Sequence, residues 1–504
     1  MLPEGLSNGL CSLNPNEAKF TFTSWYRIRR ATGEVILDSK DPNGPRFAKT
    51  IISSCCRFNY DQVQDILDGK EISAKDRPTV FGEPKNSWDK LMEDIFLLYN
   101  VCGKVRARRF EYGSVRIDKA KMRFNLDESD VPQSYEYESH SASHWMIEEL
   151  MLLSNEVVAK KICDLGECAV LRRHPPPDAK SFGELSDRIR TKLKVSDWSG
   201  TTSRELFKSL QIVKERLGNE AGRLIEFLVM KTMKPAQYCS FGSGKIHHYA
   251  LAFDFYTHFT SPIRRYPDIM VHRQLQTVLE LDACGLLGSA AAAVNQEGLN
   301  TIETQCDLCN VMKKKSREAQ EKCDVSFFCI YLRHKQDFMV ASATVMAVND
   351  KCINVFVPNL GKDSPVYFKL TSRVPDWFMA GDKAKRADLD RILKGPGSIT
   401  YVPDTMEAII NWRSMLDLVY GGDVIEGEEE EQEKLKPEQL PPIVADVPDS
   451  VRVGLFSQLL VVIVPLETVP ISFATVLLPP EFESKYGPVK MDEAHTAIYT
   501  DVPT

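Results

Sequence analysis

Residues 256–273, YTHFTSPIRRYPDIMVHR, constrain the fold more than any other stretch, because they set paired guanidinium groups at the start of a helix. Ser261 is a favourable N-cap and Pro262 suits the first helical position, so the sequence predicts a helix from Ser261 through Ile269, Met270, Val271 and Leu275. Arg264 and Arg265 then fall in its first turn. The helix dipole disfavours cations there by roughly 0.3–1 kcal/mol, whereas an anion is favoured by both the free N–H groups and the arginines. Two arginines so placed point to an anion such as phosphate. The plainer alternative is that each pairs with a carboxylate, Asp254 or Asp268.

The wider string HHYALAFDFYTHFTSPIRRYPDIMVHRQL, residues 247–275, resembles the signature of the RNase II / RNB exoribonucleases, nearest to the eukaryotic exosome ribonuclease and its cytoplasmic paralogue. Three further blocks agree in order and spacing: MLPEGLSNGLCSLNP at 1–15, IEELMLLSNEVVAKKI from Ile147, and CDLCNVMKKKSREAQ at 306–320. The resemblance implies an α+β fold. Residues 1–332 would form the C-terminal part of an RNB catalytic domain, a mixed sheet with helices. Residues 333–482 would form an OB-fold RNA-binding β-barrel with an acidic insertion at about 421–447, ahead of a tail at 483–504.

The same resemblance implies hydrolysis of single-stranded RNA from the 3′ end, releasing nucleoside monophosphates, with magnesium held by an aspartate cluster. It places the family's catalytic arginine on Arg264, whose planar fork would meet the phosphate at the scissile end. Arg265 becomes a phosphate-positioning neighbour. The family's paired acids fall on Glu148 and Glu149, one near the terminal nucleotide and the other a solvated helix residue. Tyr256 and His258 are candidates to stack on or hydrogen-bond a nucleotide, against the alternative of satisfied buried side chains. His272 reads as packing, and Asp268 as orienting an arginine or capping its own helix. Lys313, Lys314 and Lys315 are candidate RNA contacts, although such runs are more often solvated helix faces.

One departure bears directly on chemistry. In the family the aspartate cluster lies upstream of the MLP…LCSLNP block, which here begins at Met1, so the expected magnesium ligands are absent from this sequence. Hard cations need several convergent oxygens. Asp127, Glu128 and Asp130 in NLDESDVP read as a solvated turn, and the acidic run at 426–433 as a linker. The expectation is weak or absent hydrolysis by the isolated chain, with an apolar edge exposed to aggregation or to a partner. A gene model starting at an internal methionine, a true truncation, or a split enzyme with a missing N-terminal half would each produce this pattern, the first being preferred. The alternative function is a catalytically inactive RNA-binding or scaffold protein.

The net charge of −7 does not announce an RNA binder, so local clusters matter more: 104–109 (KVRARR), 313–317 (KKKSR) and 383–386 (KAKR). At 43% hydrophobic and 26% charged, 504 residues describe a soluble globular chain of several domains with no run of membrane-spanning length. Thirteen scattered cysteines fit reduced thiols, and the CxxC of Cys306 and Cys309 lacks a second pair for zinc. The resemblance favours the cytoplasm over the nucleus, beside exosome-like or mRNA-decay components.

Alternation of Phe20, Phe22, Ser24, Tyr26 and Ile28 predicts a strand, a turn at 31–34 and a return strand at 35–37. Helical spacing predicts helices from Ser87 and Ser143, at 181–193, 203–217 and 220–232, and a long one at 291–328. A strand pair is expected near 114–125. Barrel strands are expected at 338–347, 352–357, 366–370, 456–465 and 471–478.

Overall fold

The computed structural model describes residues 2–37, 41–82, 84–117, 121–137, 140–287, 296–335, 337–368, 399–411, 450–466 and 471–478. Ahead of the barrel, helices surround three short antiparallel strand pairs. β1 (Ala18–Trp25) pairs with β2 (Arg46–Ser53) rather than with 35–37, where only the single bridge Ile28–Val35 forms. Gly33 shapes the 31–34 turn. With φ +69° and no Cβ, it brings the 31–34 turn against Lys104, where a Cβ would lie 2.7 Å from the backbone.

α1 (Tyr60–Leu67) is followed by α2 (Trp88–Glu111), which starts at Ser87, whose hydroxyl accepts the Lys90 N–H at 3.3 Å. The next pair, β3 (Met122–Leu126) and β4 (Pro132–Tyr137), begins later than the sequence suggests. Residues 114–117 are drawn elsewhere, Val115 N–H donating to the Ala250 carbonyl at 2.7 Å. The acidic segment is the turn of this hairpin. Asp127 accepts the N–H groups of Ser129 and Val131, bonds that hold its pKa below the usual carboxylate range.

α3 (Ala142–Ile162) leads to β5 (Val170–Arg173), which pairs with β6 (Gln237–Ser240). Between these strands lie α4 (Ala179–Lys192) and α5 (Ser203–Thr232). α5 combines the two expected helices across a break at Gly218, φ +84°. α6 (Tyr266–Ala283) and α7 (Gln296–Lys335) complete the helical region. At 1.5 Å per residue α7 is about 60 Å long, and it passes the predicted end at Phe328 to reach the barrel.

β7 (Met339–Val348), β8 (Cys352–Val357) and β9 (Lys362–Tyr367) form one antiparallel sheet with β13 (Gln458–Leu466) and β14 (Ser472–Leu477), in the order β14-β13-β7-β8-β9. Its edges meet where Thr475 Oγ1 donates to Ser364 Oγ at 2.7 Å in the interior, so the sheet closes as an OB-type barrel. All five expected strands are present, within a few residues of their predicted bounds. A second sheet of β10 (Ile399–Val402), β11 (Glu407–Asn411) and β12 (Ser450–Val453) was not legible in the sequence. The proposed insertion at 421–447, the KAKR cluster and the tail at 483–504 lie outside the described residues. The barrel seats on α5, where Phe227 stacks on Phe356 at 4.5 Å and Lys231 pairs with Asp363 at 2.7 Å.

The KVRARR run proves structural. Arg109 grips Glu149 with a two-pronged contact at 2.5 and 2.9 Å, and Arg106 adds a third at 3.6 Å, tying α2 to α3. The Glu149 side chain is 1% exposed, so it is not the solvated one of the two acids. Glu149→Gln should therefore lower urea-measured stability by about 3–5 kcal/mol, because it leaves buried guanidinium charge uncompensated. Unchanged stability with lost ligand affinity would instead place Glu149 at a ligand.

Apolar side chains stand exposed on the first strand pair. Phe20 and Ile51 are direct cross-strand partners, yet they are 86% and 66% exposed. In sedimentation velocity the chain should self-associate with rising concentration, and the double variant Phe20→Ser/Ile51→Thr should do so less. A wild-type chain that stays monomeric would contradict this.

Candidate functional site

Two four-residue strands build the floor of the site. Their register sets Arg172 on β5 opposite Tyr238 on β6, with the Arg172 guanidinium 4.8 Å from the centre of the Tyr238 ring. The 256–259 segment is laid across this floor by backbone and side-chain bonds. Arg172 N–H donates to the Tyr256 carbonyl at 2.7 Å, and Thr257 Oγ1 to the Val170 carbonyl at 2.7 Å. From α3, the Asn155 amide donates to the Tyr256 hydroxyl at 3.1 Å and accepts the Phe259 N–H at 2.9 Å. His272, as expected, packs: it lies on the Phe259 ring at 4.3 Å and bonds its carbonyl.

The arginine pair does not lie inside a helix. Residues 261–265 form a turn in which the Ser261 carbonyl accepts the N–H groups of Arg264 and Arg265, and α6 starts only at Tyr266 with Arg265 as its N-cap residue. Pro267 gives the reason. In a helix continuous from Ser261 it would sit in the interior, without an N–H for the Ile263 carbonyl and clashing with it. That carbonyl instead accepts the Leu2 N–H at 2.9 Å. Asp268 in the first turn of α6 fixes the loop: one carboxylate oxygen accepts the Ser261 N–H at 2.7 Å and Arg265 Nη2 at 2.6 Å, and the residue is fully buried.

The two arginines thus divide the two sequence readings between them. Arg265 is paired with Asp268, whereas Arg264 is exposed and makes no ion pair among the described residues. Asp254 turns to His247 at 3.3 Å.

α7 closes the site from the opposite side. The Asn310 amide clamps the Tyr238 backbone, accepting its N–H at 2.8 Å and donating to its carbonyl at 2.9 Å. One helical turn on, Lys313 meets the charges of Arg172, Arg265 and Arg264. Although much of the lysine is exposed, partial burial and then those three charges pull its pKa down to about 8, with Asp268 acting in the other direction. Four cations therefore gather around one buried carboxylate. Lys314 and Lys315 are exposed on the same helix, and Lys314 approaches Glu318 at 3.9 Å. Glu148 is partly buried between Arg116 at 3.1 Å and His140 at 3.4 Å, and its charge reaches Tyr256.

His258 is nine-tenths buried, its Nδ1 2.7 Å from the Tyr238 hydroxyl. Burial, followed by the charges of Arg172, Arg265 and Lys313, pushes its pKa far below the ordinary histidine range, so the ring is neutral. Sequence reasoning missed Arg172, Tyr238, Asn155 and Asn310, which sit in unremarkable local patterns and acquire their roles only through tertiary pairing. The arrangement is suited to holding phosphate. It does not fit magnesium: Asp268 spends an oxygen on Arg265, Glu148 is taken up by Arg116 and His140, and no group of three or more His, Cys, Asp or Glu among the described residues could hold a metal ion. Cys306, of the CxxC pair, is buried in an apolar cluster that raises its thiol to about 12.

The chain is similar to the DIS3-like exonuclease 2 of Schizosaccharomyces pombe, 30% identical over 396 residues that cover 76% of this chain and 40% of that protein. It is 29% identical to the inactive exonuclease DIS3L2 of Arabidopsis thaliana over 423 residues, covering 75% of this chain and 39% of that one. Its fold is similar to that of Mycoplasma genitalium RNase R, solved in complex with ribose methylated single-stranded RNA, with a TM-score of 0.66 at 19% identity over 95% of this chain and 60% of that one. The chain spans about 40% of the length of the curated relatives it matches. Among the described residues no helix is long and apolar enough to cross a membrane. The RNB domain model matches residues 1–281, more than half of the sequence, and the chain belongs to that family.

Proposed function

We propose that this chain holds the 3′ end of single-stranded RNA by its backbone phosphates and serves 3′-to-5′ exoribonucleolytic degradation. The observation that carries the reading is an exposed Arg264 that makes no ion pair among the described residues, beside three further cations near one buried carboxylate. Arg264 meets the phosphate at the reacting end, Arg265 is held in place by Asp268, and Lys313 adds charge from α7. Tyr256 and His258 line the floor, with Glu148 at its margin. Glu149 serves the fold. The domain division is proposed with this reading: 1–332 as the nuclease region and 333–482 as the RNA-binding barrel.

A second reading, an RNA-binding protein without hydrolytic activity, draws support from the lack of a carboxylate group for magnesium among the described residues. An inactive relative also exists in Arabidopsis thaliana. One experiment separates the two. Purified chain is given 5′-labelled single-stranded RNA with magnesium, beside Arg264→Ala, with filter binding of the same RNA. Retained binding with slow or absent shortening is expected, and Arg264→Ala should weaken binding by about tenfold, the worth of a charged hydrogen-bond partner. A ladder of products that Arg264→Ala abolishes would support the hydrolytic reading, and no affinity at low salt would end both.

Lys313 gives a pH dependence of known sign. Protonated below about 8 in the free chain, it attracts phosphate there, so RNA affinity should fall as pH rises through about 8. Lys313→Arg should remove that fall. An affinity flat from pH 7 to 9 in both proteins would put Lys313 outside the RNA contact.

A further inference from the structure

The Tyr238–His258 pair carries more than packing. Tyr238 is 5% exposed, and burial raises its phenol to about 12, so it keeps its proton. Two cations, Arg172 and Arg265, act on its hydroxyl more strongly than the anion Asp268 does, and the Arg172 guanidinium lies against its ring. The oxygen of a hydroxyl turns toward neighbouring cations and its hydrogen away from them. The hydrogen therefore points to His258 Nδ1, 2.7 Å away. A neutral imidazole that accepts at Nδ1 carries its proton at Nε2.

Among the described residues Nε2 has no hydrogen-bond partner, and it is not one of the buried polar atoms left unsatisfied, so it retains access to solvent. Among the described residues the cations acting on the ring are Arg172 from β5, Arg265 from the turn and Lys313 from α7, with His248 near it and the rings of Tyr238 and Tyr256 against it.

We propose that Tyr238 is a positioning residue that fixes His258 as a neutral Nε2–H donor to a phosphate oxygen of bound RNA. The inference rests on the RNA reading of the site and deepens it. A neutral imidazole adds a directed hydrogen bond to the cationic cluster without adding a fifth charge. Its contribution is therefore independent of pH across the range in which an ordinary histidine titrates. Arg172 acts through Tyr238, which explains why a buried guanidinium without a carboxylate partner among the described residues is kept beside other cations.

The test uses the full chain with ¹⁵N-labelled histidine, His258→Gln to assign the resonance, and a single-stranded oligoribonucleotide as probe. One histidine, absent in His258→Gln, should show the neutral Nε2–H tautomer from pH 5.5 to 8, and its Nε2 signal should move when RNA is added. Tyr238→Phe keeps the ring under Arg172 and the fold with it. It should leave a mixture of tautomers and weaken RNA binding by about threefold to tenfold, the scale of one neutral hydrogen bond. A His258 signal that titrates near the ordinary value, shows the Nδ1–H tautomer, or ignores RNA that binds and depends on Arg264 overturns this proposal alone. A wild-type chain with no affinity for the oligoribonucleotide overturns the RNA reading and this proposal with it.

Discussion

The buried carboxylate of Asp268 is the interaction on which the site depends. It lies in the first turn of a helix, accepts the Ser261 N–H at one edge of the turn and grips Arg265 at the other. A carboxylate at a helix N-terminus is favoured by the dipole, and here it also offsets part of the charge of Arg172, Arg264, Arg265 and Lys313. With one buried anion for four cations among the described residues, compensation is incomplete. The surplus is stable because three of the four side chains stay partly solvated, and it leaves the site complementary to a polyanion.

Rigid supports convert that surplus into geometry. Asn155 and Asn310 act as paired amide clamps, one from α3 on the 256–259 segment and one from α7 on the Tyr238 backbone. Asn310 satisfies both backbone groups of Tyr238 on the four-residue β6, and Asn155 satisfies the buried Phe259 N–H. Further from the site, the Arg106–Arg109–Glu149 cluster has a similar role, holding α2 against α3 so that Asn155 is presented at a fixed height. The residues at the RNA candidate site are thus set by side chains that never reach it.

How far the sequence foretold this varies from element to element for physical reasons. Long periodic helices and the β-branched barrel strands were legible, because one buried face repeats over many residues. The arginine pair was expected inside a helix from Ser261, but that helix began four residues later, since the interior penalty of Pro267 outweighs the capping preference of a serine. β5 and β6 were missed because four residues carry no period, and with them went Arg172 and Tyr238. The acidic turn was read correctly from its Asp and Pro content, and the KVRARR run was not, because its partner Glu149 lies 40 residues away.

The central claim is that a phosphate group belongs beside Arg264. A crystal structure of the chain with a short single-stranded oligoribonucleotide carrying one phosphorothioate near its 3′ end, with sulfur located by anomalous scattering, tests it most directly. A backbone phosphate should lie within hydrogen-bond reach of Arg264, flanked by Arg265 and Lys313. RNA ordered only on the barrel, with Arg264 left in solvent or turned to a protein carboxylate, would contradict it.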